Sequence, residues 1–189
     1  MRHGIDVFHN ANGENALLDC GHGFYLTPSK STAEDWADHK GKTELKNRLK
    51  ALKAKGIIQR KPSKPEPVVL KCHINHDVLD SLEIKPLDDD TALDYCVHKR
   101  CGRLHPIDNE NYDIIRCAMW DNGIKPLTKT LYTKIKKGTI SENDINEEIE
   151  IIKHKIRTGT EVKGGTYDYD QYVIKTKNGT RALKHITKL

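Results

Sequence analysis

The spacing of apolar residues along the chain predicts a mixture of helices and strands. Isoleucines recur every three or four residues from Ile145 to Ile156, and Ser141 stands at a capping position ahead of them. This pattern is typical of an amphipathic helix. Two more helices are predicted over 91–100 and 126–137. The chain therefore devotes much of its middle to helical packing.

Short apolar runs predict the strands, which lie at 5–8, 24–26, 68–73, 112–118 and 171–175. The third run is apolar at consecutive positions where it begins, which predicts burial on both faces there.

Three further elements are predicted from the same pattern. A helix is expected from Ser31 to about Lys55, with a break near Gly41 left open, because Ser31 and Glu34 have capping-box spacing. A glycine-containing loop is expected over 158–169, and a closing helix over 180–188.

Length and composition indicate a soluble globular protein with a single domain over residues 1–189, and the mixture of predicted helices and strands places it in the α+β class. The chain is 36% hydrophobic and 31% charged, which suits a globular fold with a well-solvated surface. Five cysteines, odd in number and unevenly spread, argue against a disulfide framework and predict a cytoplasmic location. No apolar run approaches a membrane span, so no membrane partner is expected.

Charge changes this picture only at one segment. The formal net charge of +5 is mild, but lysine and arginine concentrate between Lys40 and Lys55. A solvated helix face is the favoured explanation of this segment, and contact with a nucleic-acid backbone is the alternative. The second explanation predicts a basic nucleic-acid-binding module with little or no catalytic activity.

The stretch around Tyr25 carries the strongest candidate chemistry. Gly21 and Gly23 flank His22, so the backbone can bend and approach a ligand closely. Phe24 and Tyr25 then begin a short apolar run, which Pro28 ends. A strand, a turn and a capped helix can hold one aromatic ring against a flat ligand. Taken alone, however, these residues favour an ordinary strand–turn–helix with Tyr25 as a core residue.

This stretch resembles the signature of a small bacterial branch of the ADP-ribosyltransferase superfamily, catalogued mainly as a domain of unknown function. The matching pattern is G-x-GFY-x-T followed by A-x-x-W-A, over residues 21–37. Segments 93–100 and 112–115 resemble the middle of that branch, and 171–186 resembles its end, a strand followed by a helix. The resemblance covers most of the chain and implies a split antiparallel or mixed β core with flanking helices.

The resemblance also implies a site for NAD as the substrate. In the His-Tyr-Glu subgroup, the corresponding residues here are His9, Tyr25 and Gln171. His9 would bond a ribose hydroxyl, the Tyr25 ring would stack on the nicotinamide, and Gln171 would bond the ribose 2′-hydroxyl. The resemblance adds Asn10, Gly23 and Phe24 to the NAD-binding set, with Asn10 standing where the family usually has glycine.

Gln171 departs from the family pattern, since the third residue is usually glutamate. Glutamine keeps the hydrogen bond and loses the negative charge, a loss on the order of 10²–10³ in rate. Slow transfer, a substitute carboxylate from Asp168 or Asp170, or a binding fold with little activity all remain open. Transfer of a single ADP-ribose is favoured over polymer synthesis.

The resemblance implies a biological setting as well. It predicts the toxin of a bacterial toxin–antitoxin or phage-defence pair, acting on a protein, RNA or DNA acceptor. An antitoxin protein is an expected partner. Tyr167, Asp168 and Tyr169 are weak candidates for acceptor recognition, because the loop ahead of the third motif often faces the acceptor in the superfamily.

Cysteine and histidine density in the middle of the chain raises a zinc alternative. The two groups are Cys72, His73 and His76, and Cys96, His98, Cys101 and His105. Their spacing matches no tight pair such as Cys-x-x-Cys. Structural cysteines are therefore favoured over a metal site. Phosphate-loop, dinucleotide and serine-hydrolase motifs are absent from the sequence.

Overall fold

A computed structural model describes residues 18–56, 62–63, 65–120, 124–159 and 166–189, with the backbone alone over 166–169. These residues form two compact units. The larger unit contains the described residues up to Leu26 together with His76–Ala182, and the smaller unit contains Thr27–Asn75 and Leu183–Leu189. A single domain over 1–189 stays a prediction. Among the described helices, none combines the length and apolar character needed to cross a membrane.

The larger unit is built on a four-stranded mixed sheet, which confirms the α+β class. Its strand order is β1-β5-β4-β3. The bounds are β1 Phe24–Leu26, β3 Ile84–Pro86, β4 Ile114–Trp120 and β5 Thr166–Ile174. Strand β5 lies antiparallel between β1 and β4, whereas β3 runs parallel to β4.

Helices of the larger unit supply its apolar packing. They are α2 His76–Leu79, α3 Asp89–Arg100, α4 Ile124–Lys137 and α5 Glu142–Thr158. Ser141 caps α5 and Gly138 follows α4 with a positive φ of 63°, so the predicted helices near 91–100, 126–137 and 141–156 are confirmed.

Helix α3 separates two apolar clusters. On one side Leu93 and Val97 pack with the buried isoleucines of α5 and with Leu131. On the other side Ala92 and Tyr95 pack against the sheet. The helix is thus buried on more than one face, which fixes its position over the strands.

The smaller unit contains α1 Lys30–Ala54 and a two-stranded sheet of β2 Leu70–Ile74 with β6 Leu183–Lys188. The side chain of Ser29, rather than that of Ser31, accepts the capping bond, from Thr32 N at 3.2 Å. The helix continues through Gly41, which is buried with the carbonyl of Pro65 nearby.

Strand β2 corrects the prediction of a strand buried on both faces. Leu70 is 38% exposed, and Val68 ahead of the strand is 48% exposed. The ladder to β6 satisfies the backbone groups on one edge of β2, but most side chains of both strands are exposed. Consecutive apolar residues therefore do not guarantee burial in a two-stranded sheet.

Strand β6 corrects the prediction of a closing helix over 180–188. A short 3-10 helix, Gly179–Ala182, is followed by the extended residues Leu183–Lys188. Backbone pairing with β2, together with the β-branched Ile186 and Thr187, favours the strand over a helix. The ending therefore differs from the strand-then-helix order that the family resemblance implied.

Both ends of the predicted loop over 158–169 belong to regular elements instead. Thr158 belongs to α5, which Gly159 ends in the left-handed conformation, and β5 already begins at Thr166. The backbone at Tyr167, Asp168 and Tyr169 is therefore strand rather than loop. The predicted strand at 5–8 lies outside the described residues.

Candidate functional site

A tight turn, Asp19–Gly23, leads into β1 and forms the edge of the candidate site. Gly21 has a φ of 67° and Gly23 a φ of 151°, so both occupy backbone regions that favour glycine. The amide of Gly21 donates to Leu18 O at 3.0 Å, which closes the turn. The chain is thereby folded back toward the first strand, as the glycine spacing predicted.

Tyr25 ties this turn to the sheet through its hydroxyl. The phenol oxygen accepts from Cys20 N at 2.9 Å and donates to Gly21 O at 2.8 Å. Its ring packs against the apolar cluster between α3 and the sheet. Burial raises the pKa of the Tyr25 hydroxyl well above its ordinary value, so it stays protonated and keeps donating.

Gln171 lies on β5 with its side chain 3% exposed. Its Nε2 donates to Ala118 O at 3.3 Å and contacts Cys117 Sγ at 3.7 Å, both on β4. A carboxylate has no hydrogen to donate to a carbonyl. The neighbouring strand therefore gives a physical reason for an amide at this position.

Strand register places Tyr25 and Gln171 on the same face of the sheet. Tyr25 pairs with Val173 across the β1–β5 ladder, and Gln171 lies two residues further along β5. Side chains in this diagonal relation are roughly 7 Å apart. Phe24 points to the opposite face, because successive strand residues alternate. His9 and Asn10 lie outside the described residues.

Lys175 is a buried cation that sequence reasoning missed. Its Nζ donates to Cys20 O and to His22 O, each at 2.6 Å, so it holds the same turn as Tyr25. Burial, assisted by the charge of Lys99, lowers the pKa of Lys175 to about 8. The sequence contained one signal for this burial: residues two apart in a strand lie on the same face, so Lys175 lies on the face of the buried Val173.

The depressed pKa of Lys175 predicts a specific alkaline effect. Between pH 8 and about 10.4 the unfolded chain holds a proton that the folded chain has lost, so the contribution of Lys175 to stability rises with pH. The unfolding free energy of the wild type, minus that of Lys175→Met, should increase by about 2–3 kcal/mol across this window. Urea denaturation at a series of pH values measures this difference.

The subtraction is needed because other buried groups act in the opposite direction. Burial raises the pKa of Tyr25 and Cys96, so these groups lower stability in alkali in both proteins. At pH 6–7 the difference in unfolding free energy between the two proteins should not change with pH, since Lys175 is protonated in both the folded and the unfolded wild type. A difference that stays flat or falls above pH 8 would contradict the assignment.

Asp19 and Arg100 form a buried ion pair between the turn and the end of α3. Arg100 Nε donates to Asp19 Oδ1 at 2.5 Å, and a second guanidinium nitrogen also contacts that carboxylate. Both side chains are 9% exposed. The pair spans 81 residues of sequence. Arg100 belonged to a segment that resembled the family, but its partner could not be read from the sequence.

Cysteines of the larger unit serve its packing, as favoured from the sequence. Cys20 and Cys117 are buried with their sulfur atoms 3.5 Å apart, and Cys96 and Cys101 lie in the cluster between the helices. Burial raises the pKa of the Cys96 and Cys101 thiols, which keeps them protonated. Buried protonated thiols behave as small apolar groups.

The two cysteines of the second candidate zinc group, Cys96 and Cys101, lie in the apolar cluster between the helices and do not join its histidines in a four-ligand site. Instead, within the described part of the chain, Asp94, His98 and His105 place one ligand atom each within 4.8 Å of one another. His105 Nδ1 accepts from Ile107 N, so its Nε2 carries the hydrogen that bonds Asp94 Oδ2 at 2.9 Å. The cluster is therefore already joined by hydrogen bonds.

Lys153 supplies the opposite charge to that cluster. Its Nζ lies 2.6 Å from Asp94 Oδ1 and 2.7 Å from Glu150 Oε1. An ammonium at this distance competes directly with a metal ion for the carboxylate. Asp94 thus links α3 to α5 and to the 3-10 helix Pro106–Asn109 as a compensated ion-pair network.

In comparisons with known proteins, no family model, no curated protein and no solved structure matches the chain.

Proposed function

We propose that this protein is an NAD-dependent mono-ADP-ribosyltransferase. The observation that carries the proposal is the β1–β5 register, with Tyr25 and Gln171 on one face of neighbouring strands. Those are two of the three positions that the family resemblance assigns to NAD. The third position, His9, comes from the resemblance alone.

Each residue would have a distinct task. The bond between the nicotinamide nitrogen and ribose C1′ breaks, positive charge develops on the ribose, and an acceptor nucleophile bonds to C1′ while losing its proton. The Tyr25 ring would hold the nicotinamide flat, and His9 would orient a ribose hydroxyl. Gln171 would bond the 2′-hydroxyl without adding negative charge, which favours slow transfer of a single ADP-ribose.

The present contacts of Gln171 define what NAD binding must change. Its Nε2 is bonded to Ala118 O, so donation to a ribose hydroxyl requires the exchange of one hydrogen bond for another. Such an exchange is close to neutral in free energy when both partners are satisfied afterwards. The Tyr25 hydroxyl is held by the turn and its ring packs in part on the apolar cluster, so the group offered to NAD is the part of the ring that stays exposed.

Transfer of ADP-ribose from NAD labelled in its ADP-ribose part to components of a cell extract tests the proposal. Mass spectrometry of protein and nucleic acid then looks for the added ADP-ribose. Gln171→Ala and Tyr25→Leu are each expected to lower the transfer rate on the order of 10²-fold. Tyr25→Phe keeps the ring and should stay within about tenfold of the wild type. If the protein is a toxin, the same variants should relieve growth arrest in the same order.

Tyr112→Leu is the matched control for Tyr25→Leu. Tyr112 packs against the same apolar cluster but does not lie on β1. Its change to leucine removes the same side-chain atoms as Tyr25→Leu. Equal loss of transfer in both leucine variants at equal stability would remove the special role of Tyr25. A wild-type protein that neither transfers nor hydrolyses NAD would refute the proposal as a whole.

A further inference from the structure

The net charge of +5 conceals a strong separation of charge between the two units. By sequence, Thr27–Asn75 with Leu183–Leu189 contains 14 lysines and arginines against five aspartates and glutamates, a net charge of +9. The remainder of the chain contains 18 basic and 22 acidic residues, a net charge of −4. Charge of one sign confined to one unit is typical of a polyanion-binding surface.

Within the smaller unit the lysines of α1 form a stripe. Lys42, Lys46, Lys50 and Lys53 recur at intervals of three or four residues, so they fall within an arc of about 80° around the helix axis. They extend over about 16 Å of that axis. All four are exposed. We refer to these four residues as the lysine stripe.

Acidic residues of α1 do not neutralise this stripe. Glu44 lies on another side of the helix and pairs with Arg48 at 2.7 Å, and Lys42 has one exposed contact with Asp38 at 3.7 Å. In the described part of the chain, no ion pair engages Lys46, Lys50 or Lys53. Three adjacent like charges without partners repel one another, so the stripe lowers its own free energy by binding an anion.

We propose that the lysine stripe binds the phosphate backbone of nucleic acid. Phosphates follow one another every 3.4 Å of axis along a strand of a duplex. The length of the stripe therefore matches about five nucleotides. Contacts of lysine with phosphate fix position without reading sequence, so the binding should be strong at low salt and independent of sequence.

The composition of α1 favours nucleic acid over a membrane surface. An interfacial helix needs a wide apolar face, usually with aromatic residues. Beside the stripe α1 offers Leu45, Leu49 and Leu52, of which the first and last are already half-buried. An acidic protein partner is also less well matched, because stable protein interfaces centre on buried aromatic or apolar anchors.

Fluorescence anisotropy with the full chain tests the proposal, using single-stranded RNA, duplex RNA and duplex DNA of about 20 nucleotides. The triple variant Lys46→Gln, Lys50→Gln, Lys53→Gln should weaken binding on the order of 10²-fold at about 0.1 M salt. The slope of log affinity against log salt concentration is negative, and its magnitude should decrease by about 2–3 in this variant. The three probes distinguish RNA from DNA and a single strand from a duplex.

A triple variant in the larger unit, whose net charge is negative, is the matched control. Lys125, Lys129 and Lys137 are exposed on α4, and their change to glutamine removes the same charge. This control should shift affinity by less than about threefold. Circular dichroism should show equal helix content in all three proteins, because the substituted residues are exposed.

Three results would overturn the proposal. One is a lack of binding to every probe at low salt, and another is equal loss of affinity in both triple variants. The third is tighter binding to anionic lipid vesicles, or to polyglutamate of equal charge, than to any of the nucleic acids. NAD is absent from the assay, so the outcome does not depend on the proposed transfer reaction, and either proposal can fail alone.

Discussion

Asp19→Ala is expected to lower the free energy of unfolding by about 3–5 kcal/mol. The substitution leaves the guanidinium of Arg100 without its partner in a place where water does not reach it freely. A buried ion pair adds little net stability when whole, but an isolated buried charge is strongly unfavourable. Urea denaturation at pH 7 measures the change.

Two further variants separate this cause from simple loss of contacts. Asp19→Ala combined with Arg100→Met removes both charges, and it should recover at least half of the lost stability. Glu142→Ala breaks an exposed ion pair with Arg103, in which the Glu142 side chain is 67% exposed. This substitution should lower the free energy of unfolding by less than about 1 kcal/mol. An Asp19→Ala loss no larger than that of Glu142→Ala would contradict a buried pair.

Gly23→Ala is expected to destabilise the protein by about 3 kcal/mol. A Cβ at this position would lie 2.5 Å from Val173 Cγ1 and 3.0 Å from Ile174 O, with a backbone φ of 151° that side chains rarely adopt. The clash and the backbone strain add together. Because β1 and β5 would separate to relieve the clash, the proposed transfer of ADP-ribose from NAD should fall as well.

Gly138→Ala is the matched control for Gly23→Ala. Gly138 also has a positive φ, 63°, but an added Cβ would meet no atom within 4 Å. It should therefore show backbone strain alone, about 1 kcal/mol. Thermal or urea denaturation compares the two proteins. If both lose the same stability, the close approach between Gly23 and β5 is not responsible.

Elements that stand on local signals could be predicted from the sequence. The periodic isoleucines and the cap at Ser141 located α5 closely, and the apolar run at Phe24–Leu26 located β1. Their stabilising contacts lie within one or two turns, or within one strand, so a window of sequence contains the information. The end of the chain shows the limit, since the β6 conformation depends on pairing with β2, more than a hundred residues earlier.

The candidate site shows the same division. Tyr25 and Gln171 were predicted as site residues by resemblance, and the strand that bears Tyr25 was predicted from its apolar run. The groups that hold the turn, however, come from distant elements: Arg100 from α3 and Lys175 from the end of β5. No local pattern pairs a lysine with carbonyls 155 residues away. Only the topology of the sheet brings them together.

The same long separations determine when the turn can form during synthesis on the ribosome. Cys20 and His22 are made well before Lys175, because the ammonium group that anchors their carbonyls follows them by more than 150 positions. Until β5 has left the exit tunnel, the nascent chain lacks both the neighbouring strand and this anchor. The β1 edge of the larger unit therefore matures only after β5 has been made, and any activity that depends on this edge arises no earlier.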